Sequence, residues 1–211
     1  MTIYLIRHGE SEHNVDPFRM EHIHDADHNL TEIGKLQAKE TGKFLKTIVN
    51  DSAIIYSSPY ARTMQTAEAI RAELPDNVPF FQNPLLREWE LGNLLNISNR
   101  TPQLKKEYKA SHQFFYRYPN GESMADVYLR AAMFSSTVLQ RLELEKRYDH
   151  ILLVTHSAFI EAFLTFILQL PIDNYEKHKP FENGSVVAIN KVNGEYEHKK
   201  IFIPNVNVAN R

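Results

Sequence analysis

The chain contains no cysteine among its 211 residues. This absence excludes disulfide bonds, thiolate nucleophiles and cysteine-ligated zinc or iron–sulfur sites, and it is compatible with a reducing compartment. The N-terminal residues do not show a basic stretch followed by an apolar one, so a secretory signal is not expected. Together these features favour a cytoplasmic protein.

An excess of charge of one sign and a long hydrophobic run are also absent. Lys and Arg number 24 against 26 Asp and Glu, and the formal charge of −2 provides no global attraction to a nucleic-acid backbone. The longest apolar stretch, Ala158–Ile172, is interrupted by Glu161 and Gln169 and is too short to span a bilayer. We therefore expect no nucleic-acid and no membrane partner. The oligomeric state stays open, with a homodimer as one option.

The sequence does contain enough apolar material for a core. Hydrophobic residues make up 43% of the chain and aromatic residues 11%, which is ordinary for a globular protein. The length fits one large domain, and neither an internal repeat nor a linker rich in proline and glycine divides it. We therefore predict a single domain over residues 1–211.

Five short segments have the pattern of β-strands. Three are nearly all-apolar runs, typical of parallel strands that are covered on both faces. The last two alternate in polarity around an Asn193-Gly194 turn signal, which predicts a hairpin at one edge of the sheet. In chain order, the predicted strands are Thr2–Ile6, Ala53–Tyr56, Ile151–Thr155, Val186–Lys191 and Tyr196–Ile203.

Helical patterns alternate with these strands and predict an α/β fold. We expect a three-layer α/β/α sandwich around a mostly parallel sheet with one antiparallel edge. Two long connections, His8–Asn29 and Gly92–Ser123, interrupt the scheme, and such connections in compact domains are more often functional than idle. We interpret the second as a cap insertion over the site. The predicted helices are Thr31–Asn50, Tyr60–Glu73, Thr101–Ser111, Met124–Arg147 and Ser157–Leu170.

Basic side chains occur where three of the predicted strands end. Arg7 and His8 follow the first strand, Arg62 lies in the helix after the second, and His156 follows the third. Because ligands of open parallel sheets bind outside the carboxyl ends of the strands, we expect these groups to converge. Two guanidinium groups near helix N-termini favour a tetrahedral dianion such as phosphate.

Histidine is the nucleophile that remains for such a site. Ser11 and Ser157 lack the sequence context of a serine-hydrolase elbow. Imidazole can attack phosphorus to form a phosphohistidine when cations neutralise the phosphoryl oxygens. The leaving alkoxide needs a proton, and a carboxylic acid beside a phosphate dianion can hold one near neutrality. Glu88 is the candidate acid, and the other candidates are Glu90, Glu10 and Glu12.

In these motifs the chain resembles the histidine phosphatase superfamily, which contains cofactor-dependent phosphoglycerate mutases and fructose-2,6-bisphosphatases. The similarity extends over nearly the whole chain, and six motifs occur in the family order. They are Arg7-His8-Gly9-Glu10, Leu30-Thr31-Glu32-Ile33-Gly34 with Gln37-Ala38, Ser57-Ser58-Pro59 through Arg62 to Gln65-Thr66-Ala67, Glu88-x-x-x-Gly92, Pro119-Asn120-Gly121-Glu122-Ser123, and His156 after the late strand.

The resemblance implies a role for each of these residues. His8 would be the phosphorylated nucleophile, and Glu88 would be the proton donor, preferred over Glu90 because the Glu-x-x-x-Gly spacing is that of the family. Ser157 departs from the glycine that members usually place after the second histidine. The catalytic residues would be His8, Glu88, Arg7, Arg62 and His156, and the substrate-binding residues Arg7, Asn14, Arg62, His156 and Ser157.

The resemblance favours a phosphatase over a mutase. Mutases of the family carry a longer insertion rich in Tyr and Arg and a flexible basic tail, and neither is found in Gly92–Ser123 or in Pro204–Arg211. The implied activity is hydrolysis of a small phosphomonoester by an acid-type histidine phosphatase. Two alternatives stay open: a cofactor-dependent phosphoglycerate mutase, and a non-catalytic phosphate-binding or interaction module. The sequence does not identify the substrate.

A histidine-rich stretch lies in the loop after the first strand. It contains His22, His24 and His28 together with Asp25 and Asp27, which are residue types that ligate divalent metals. Their spacing is not the helical His-x-x-x-His type, and the chemistry implied above needs no metal. We therefore expect no metal and no cofactor, and we interpret the stretch as a solvated loop over the site.

Overall fold

The structure, a computed structural model, describes residues 1–178 and 181–206. Its centre is a six-stranded sheet with the strand order β3-β2-β4-β1-β5-β6. The first four of these run parallel, whereas β5 is antiparallel to both β1 and β6. The strands are β1 Thr2–Arg7, β2 Ala53–Ser57, β3 Phe80–Gln82, β4 His150–Thr155, β5 Val186–Val192 and β6 Glu195–Phe202. The mostly parallel sheet with its antiparallel edge hairpin is thus confirmed.

Seven α-helices and several short 3₁₀ turns connect the strands within the described residues. Among these residues, no helix is both long and apolar enough to cross a lipid bilayer. Of the C-terminal tail, residues 207–211 lie outside the described part of the chain. The helices are α1 Glu12–Val15, α2 Glu32–Lys46, α3 Ala61–Arg71, α4 Pro102–Ala110, α5 Met124–Phe134, α6 Gln140–Glu145 and α7 Ser157–Ile167.

Each face of the sheet carries its own apolar core, because the pleat sends successive side chains to opposite faces. Leu5 of β1 shares one core with Phe134 of α5, and the next residue, Ile6, shares the other with Ile70 of α3. All four side chains are fully buried. Helices α5 and α7 therefore cover one face and α2 and α3 the other, which confirms the three layers.

One predicted helix start is confirmed, and one predicted helix is interrupted. The Thr31 hydroxyl accepts a hydrogen bond from the Gly34 N–H at 3.0 Å and caps α2, as the sequence predicts. The predicted continuous helix Met124–Arg147 instead widens into a π-helical segment at Ser135–Leu139. Thr137 donates its hydroxyl to the Met133 carbonyl at 2.7 Å, and such side-chain competition commonly perturbs a helix.

The topology brings the ends of β1, β2 and β4 to one edge of the sheet. In the strand register, Arg7 lies opposite Thr155, and Ser57 lies opposite Val154. The residues that directly follow these three strands therefore lie side by side along this edge of the sheet. This edge is where the sequence predicts the functional site.

Candidate active site

His8 is held at the end of β1 with a defined ring orientation. Its backbone N–H donates to the Thr155 carbonyl at 3.0 Å, and its side chain is only 2% exposed. The ring Nδ1 lies 2.7 Å from the Gly9 carbonyl. A carbonyl only accepts hydrogen bonds, so Nδ1 carries the ring proton. The Nε2 lone pair is therefore the one available for attack.

Close packing of backbone against backbone fixes the loop that carries His8. A Cβ atom added to Gly34 at the start of α2 would lie 1.9 Å from the Glu10 carbonyl oxygen, which no side chain can accommodate. The Gly9 N–H also donates to the Thr66 hydroxyl at 3.1 Å. The glycine of the Leu-Thr-Glu-Ile-Gly motif thus lets α2 lie directly against the loop that carries His8.

His156 is the neighbour of His8 at the end of β4. The two ring centroids are 5.2 Å apart in an edge-to-face arrangement, and His156 is fully buried. Its Nε2 lies 2.8 Å from the Ser58 hydroxyl, whereas Nδ1 has no hydrogen-bond partner among the described residues. Burial lowers the pKa of His156 well below its ordinary value, and the Arg62 guanidinium lowers it further. The ring is therefore neutral and has one nitrogen left for a ligand.

The two arginines carry the positive charge of the site. Arg62 is fully buried on α3, and Arg7 donates to the Phe181 carbonyl. Burial lowers the pKa of His8 well below its ordinary value, and Arg62 and Arg7 lower it further. The imidazole of His8 thus lies near both guanidinium groups and stays neutral, with its proton on Nδ1 and none on Nε2. A nucleophilic histidine requires this state.

Arg62 already holds an anion in this structure, namely the carboxylate of Asp25. Its guanidinium donates to the Asp25 backbone carbonyl, and its Nη2 donates to Oδ2 of the same residue at 3.2 Å. The side chains of Arg62 and Asp25 are 1% and 10% exposed. The interpretation of residues 21–28 as a solvated loop is therefore wrong at Asp25, and also at His28, which is 0% exposed.

A cavity of about 260 Å³ opens beside Arg62. Of the predicted site residues, Arg62, Glu88 and Ser157 line it. His8 and His156 are buried and Arg7 is half-buried, and none of these three is among the lining residues. His8 is linked to the cavity through His13, whose ring centroid is 6.2 Å away. The further lining residues are Met20, Asp25, Trp89, Leu91, Met124, Ala158 and Glu161.

Glu88 brings a carboxyl group with a raised pKa to this cavity. Burial is the main cause, and it outweighs the opposing hydrogen bond from the Trp89 N–H at 2.9 Å. Glu90 is engaged elsewhere, since its Oε1 accepts a hydrogen bond from the Gly92 N–H at 3.0 Å and it does not line the cavity within the described residues. The geometry therefore favours Glu88 over Glu90 as the acid.

The loop that carries Glu88 is held by a buried ion pair that sequence reasoning missed. Arg130 of α5 donates to the backbone carbonyls of Leu85, Arg87 and Glu88 at 2.8–3.2 Å. The same guanidinium makes two hydrogen bonds, at 3.0 and 2.8 Å, to the carboxylate of Glu122. Glu122 belongs to the Pro-Asn-Gly-Glu-Ser motif, which thereby acquires a structural role in positioning the acid.

Gly92 explains the glycine in the Glu-x-x-x-Gly spacing. It has a φ of +53°, which non-glycine residues rarely adopt, and a Cβ there would lie 2.4 Å from the Pro119 carbonyl oxygen. The loop of Glu88 and the loop of Glu122 thus approach each other backbone to backbone. A side chain at Gly92 would force them apart and displace Glu88.

We expect Arg130→Met to destabilise the protein by about 3 kcal/mol or more, because it removes the buried ion-pair partner of Glu122 and leaves that carboxylate with the more exposed Arg87. Glu122 has a side chain only 12% exposed, and three backbone carbonyls lose their donor as well. Urea denaturation measures the effect. Arg117→Met is the matched control, since Arg117 pairs with Asp126 but is 60% exposed, and we expect a loss within about 1 kcal/mol. Equal losses in the two variants would contradict the structural role of Arg130.

Asn14 and Ser157, predicted as substrate-binding residues, make contacts within the protein. The Asn14 Oδ1 accepts hydrogen bonds from the Ser11 N–H and hydroxyl at 3.1 and 2.9 Å, and Asn14 is exposed outside the cavity lining. The Ser157 hydroxyl donates to Glu161 one turn further along α7, at 3.3 Å. Glu161 also lines the cavity, although it is only 1% exposed. A single glutamate in an otherwise apolar helix does not by itself predict this position.

Comparison with known proteins places the chain in a family. A profile of the Histidine phosphatase superfamily (branch 1) matches residues 3–204. A phosphoglycerate mutase-like protein of Arabidopsis thaliana is 27% identical over 199 residues, covering 86% of this chain and 70% of that protein. Human 6-phosphofructo-2-kinase/fructose-2,6-bisphosphatase 3 is 32% identical over 171 residues, covering 79% of this chain and 29% of the human enzyme.

A solved structure shares the fold. Bacillus stearothermophilus YhfR superposes with a TM-score of 0.76 at 25% identity, covering 94% of this chain and 95% of that one. The resemblance noted from the six motifs is thus confirmed by sequence and by structure. With a family profile matched over residues 3–204 and a common fold, the chain belongs to the histidine phosphatase superfamily, branch 1.

Proposed function

We propose that the protein hydrolyses phosphomonoesters through a phosphohistidine on His8. The observation that carries this proposal is the hydrogen bond between His8 Nδ1 and the Gly9 carbonyl, which leaves Nε2 as an unprotonated nucleophile in the field of two arginines. Family membership supports the same chemistry. A non-catalytic phosphate-binding module would require neither this tautomer nor a protonated carboxyl group at the cavity.

In the first step, His8 Nε2 attacks the phosphorus atom in line with the leaving oxygen. The N–P bond forms while the P–O bond to the leaving group breaks, and Glu88 donates its proton to the departing alkoxide. Arg7 and Arg62 neutralise the phosphoryl oxygens, and the Nδ1 of the neutral His156, which has no partner among the described residues, donates a hydrogen bond to one of them. For Arg62 to take part, phosphate displaces the Asp25 carboxylate from it.

In the second step, water attacks the phosphohistidine. Glu88, now ionised, accepts the proton of the attacking water, the N–P bond breaks, and inorganic phosphate leaves. Glu88 is protonated again and His8 returns to its neutral form, so the cycle closes without a cofactor. A mutase differs only in that the phosphoryl group returns to an organic acceptor instead of water.

The electrostatics support an acid-type enzyme. Burial and the two arginines lower the pKa of His8, so the nucleophile stays unprotonated at mildly acidic pH. Burial raises the pKa of Glu88, so the acid stays protonated over part of the same range. Both groups are in their active form only between the lowered pKa and the raised one.

We assign a single catalytic domain to residues 1–211 with residues 92–123 as its cap. Two contacts link this insertion to the loop after β1: the Ile97 N–H donates to Glu21 at 3.1 Å, and Arg100 contacts the sulfur of Met20. Met20 also lines the cavity, as do Trp89 and Leu91 just before the insertion. A small phosphorylated substrate with an apolar portion fits this wall.

The proposed function is tested with a panel of phosphomonoesters, assayed with and without 2,3-bisphosphoglycerate. We expect phosphate release from at least one monoester that is independent of the bisphosphate. Conversion of 3- to 2-phosphoglycerate that requires the bisphosphate would replace the phosphatase with a mutase. Turnover of neither kind would leave the non-catalytic binding module as the function.

Chelation with EDTA should leave phosphatase turnover intact. Arg7 and Arg62 supply the positive charge that a metal provides in other phosphatases, and no step of the proposed mechanism uses a metal-bound water. The measurement is the steady-state rate of the EDTA-dialysed protein against the untreated one. A loss of rate that added zinc or manganese restores would contradict the metal-free mechanism.

A further inference from the structure

Three side chains from separate parts of the first long loop meet beside the cavity. His13 lies on α1, Asp25 opens the turn Asp25–Asp27, and His28 follows that turn. One ligand-type atom from each lies within 4.8 Å of the other two, and the rings of His13 and His28 have centroids 5.1 Å apart. This is a different set from the His22, His24 and His28 stretch in the sequence, since His22 and His24 are exposed.

His28 is the second observation that points to a ligand. It is 0% exposed, and neither of its ring nitrogens has a hydrogen-bond partner among the described residues. A buried polar group without a partner destabilises the folded protein. A bound cation would satisfy the nitrogen that lies within 4.8 Å of the ligand atoms of His13 and Asp25.

Asp25 offers an oxygen in the same place. Its Oδ2 accepts the hydrogen bond from Arg62, whereas its buried Oδ1 lies 3.2 Å from Arg62 without a hydrogen bond. Ligating carboxylates are commonly oriented by a hydrogen bond to the other oxygen, and Arg62 supplies that bond here. The guanidinium thus orients Asp25 without consuming the oxygen that a metal would use.

His13 is oriented in a similar way. Its Nδ1 donates to the Ser11 hydroxyl at 2.9 Å, which fixes the ring, and its Nε2 accepts a hydrogen bond from the amide of the exposed Asn14 at 3.2 Å, which a metal ion would displace. His13 and Asp25 also line the cavity, so an ion can enter from it. Tetrahedral zinc with bonds of about 2.0–2.2 Å places ligand atoms roughly 3.4 Å apart, so zinc binding would draw these side chains closer than their present spacing of up to 4.8 Å.

We propose that His13, Asp25 and His28 form a binding site for a divalent first-row transition metal of the zinc type. Two imidazoles and one carboxylate match the three-ligand donor set of zinc sites that keep a fourth position open. The bound ion would tie the turn at Asp25 to α1 at the edge of the cavity. This site goes beyond the proposed phosphatase chemistry, which uses no metal.

The test is calorimetric titration of the EDTA-stripped, dialysed protein with zinc chloride. We expect saturable binding of one zinc ion per chain. His28→Gln and Asp25→Asn should each weaken zinc binding by more than the roughly 100-fold that loss of an outer-shell partner costs. His22→Ala, which changes an exposed histidine of the same loop, is the matched control and should keep wild-type affinity.

Cobalt and folding measurements complete the test. Cobalt(II) added to the stripped wild-type protein should show the visible absorption of a tetrahedral site, and Asp25→Asn should abolish it. Circular dichroism shows whether each variant is folded; if His28→Gln is not, His13→Gln and Asp25→Asn decide the outcome. Absence of saturable zinc binding to the wild type would overturn the proposal, and so would an equal loss of affinity in His22→Ala. Because the readout is binding, the result is independent of phosphatase activity.

Discussion

Replacement of His8 by alanine is expected to abolish phosphatase turnover, with a loss of roughly 10⁴-fold or more. Nε2 of His8 forms the covalent bond to phosphorus, and an alanine methyl group cannot take its place. His156 is not expected to substitute for it, because its Nε2 lies 2.8 Å from the Ser58 hydroxyl and its proposed role is to bind the phosphoryl group. Steady-state phosphate release on the best monoester of the panel measures the loss.

The control for this prediction is a histidine far from the site. His198→Ala changes an exposed histidine on β6 and should keep wild-type turnover. His8 is 2% exposed, so thermal melts followed by circular dichroism are needed to show that His8→Ala is folded, and His8→Asn is the smaller perturbation. Substantial activity in a folded His8 variant would refute the phosphohistidine mechanism.

Replacement of Glu88 by glutamine is expected to slow hydrolysis of alkyl phosphates by about 100- to 10,000-fold, and to slow p-nitrophenyl phosphate much less. An alkoxide is a poor leaving group and depends on the proton that Glu88 delivers in the transition state. Nitrophenolate leaves without that proton. The ratio of the two rates therefore isolates general-acid catalysis from phosphate binding, which both substrates share.

Glu90→Gln is the matched control, because Glu90 lies two residues away and accepts its hydrogen bond from Gly92 instead of lining the cavity. It should behave nearly as wild type with both substrates. If Glu90→Gln shows the leaving-group dependence and Glu88→Gln does not, the acid is misassigned, although the role of His8 would survive.

The pH dependence of the first step provides a second signature of Glu88. Burial raises the pKa of this carboxyl group, and a phosphate dianion beside it would raise it further. The protonated form is the active acid, so the rate of phosphoenzyme formation falls as pH rises through the raised pKa. In Glu88→Gln this alkaline limb should be absent, since glutamine does not titrate.

The buried strands and the helices between them could be read from the sequence because their patterns are long or strongly apolar. The predicted strand Ile151–Thr155 lies within β4, and its buried pattern follows directly from its residues. Strand β3, Phe80–Gln82, is not predicted from the sequence, because it has only three residues and two of them are exposed at the sheet edge. Its strand character comes from pairing with β2, not from its own composition.

Residues at strand ends were predictable for a topological reason: parallel strands bring their carboxyl ends to one edge. Arg7, His8 and His156 required only this rule and a recognisable strand before each of them. The residues that were missed depend on distant partners. Arg130 meets Glu122 across the start of α5 and binds three carbonyls more than 40 residues away in sequence, and nothing in its local pattern distinguishes it from a surface arginine.

In the histidine-rich loop, too, the sequence does not predict which residues come into contact. Its composition drew attention to His22, His24 and His28 as a group, yet only His28 is buried. The partner that it meets, His13, is 15 positions earlier in the sequence and comes close only because the chain turns at Asp25–Asp27. Spacing along a loop does not report such contacts.

The most direct test of the phosphohistidine on His8 is chemical quenching of the wild-type protein during turnover of a ³²P-labelled monoester. We predict a labelled protein whose phosphoryl group is stable in alkali and labile in acid, and whose label maps to the peptide that contains His8. The same label should be absent from His8→Ala. A phosphoryl group that alkali removes would identify a carboxylate nucleophile, and that result, or a label on another histidine, would contradict the account.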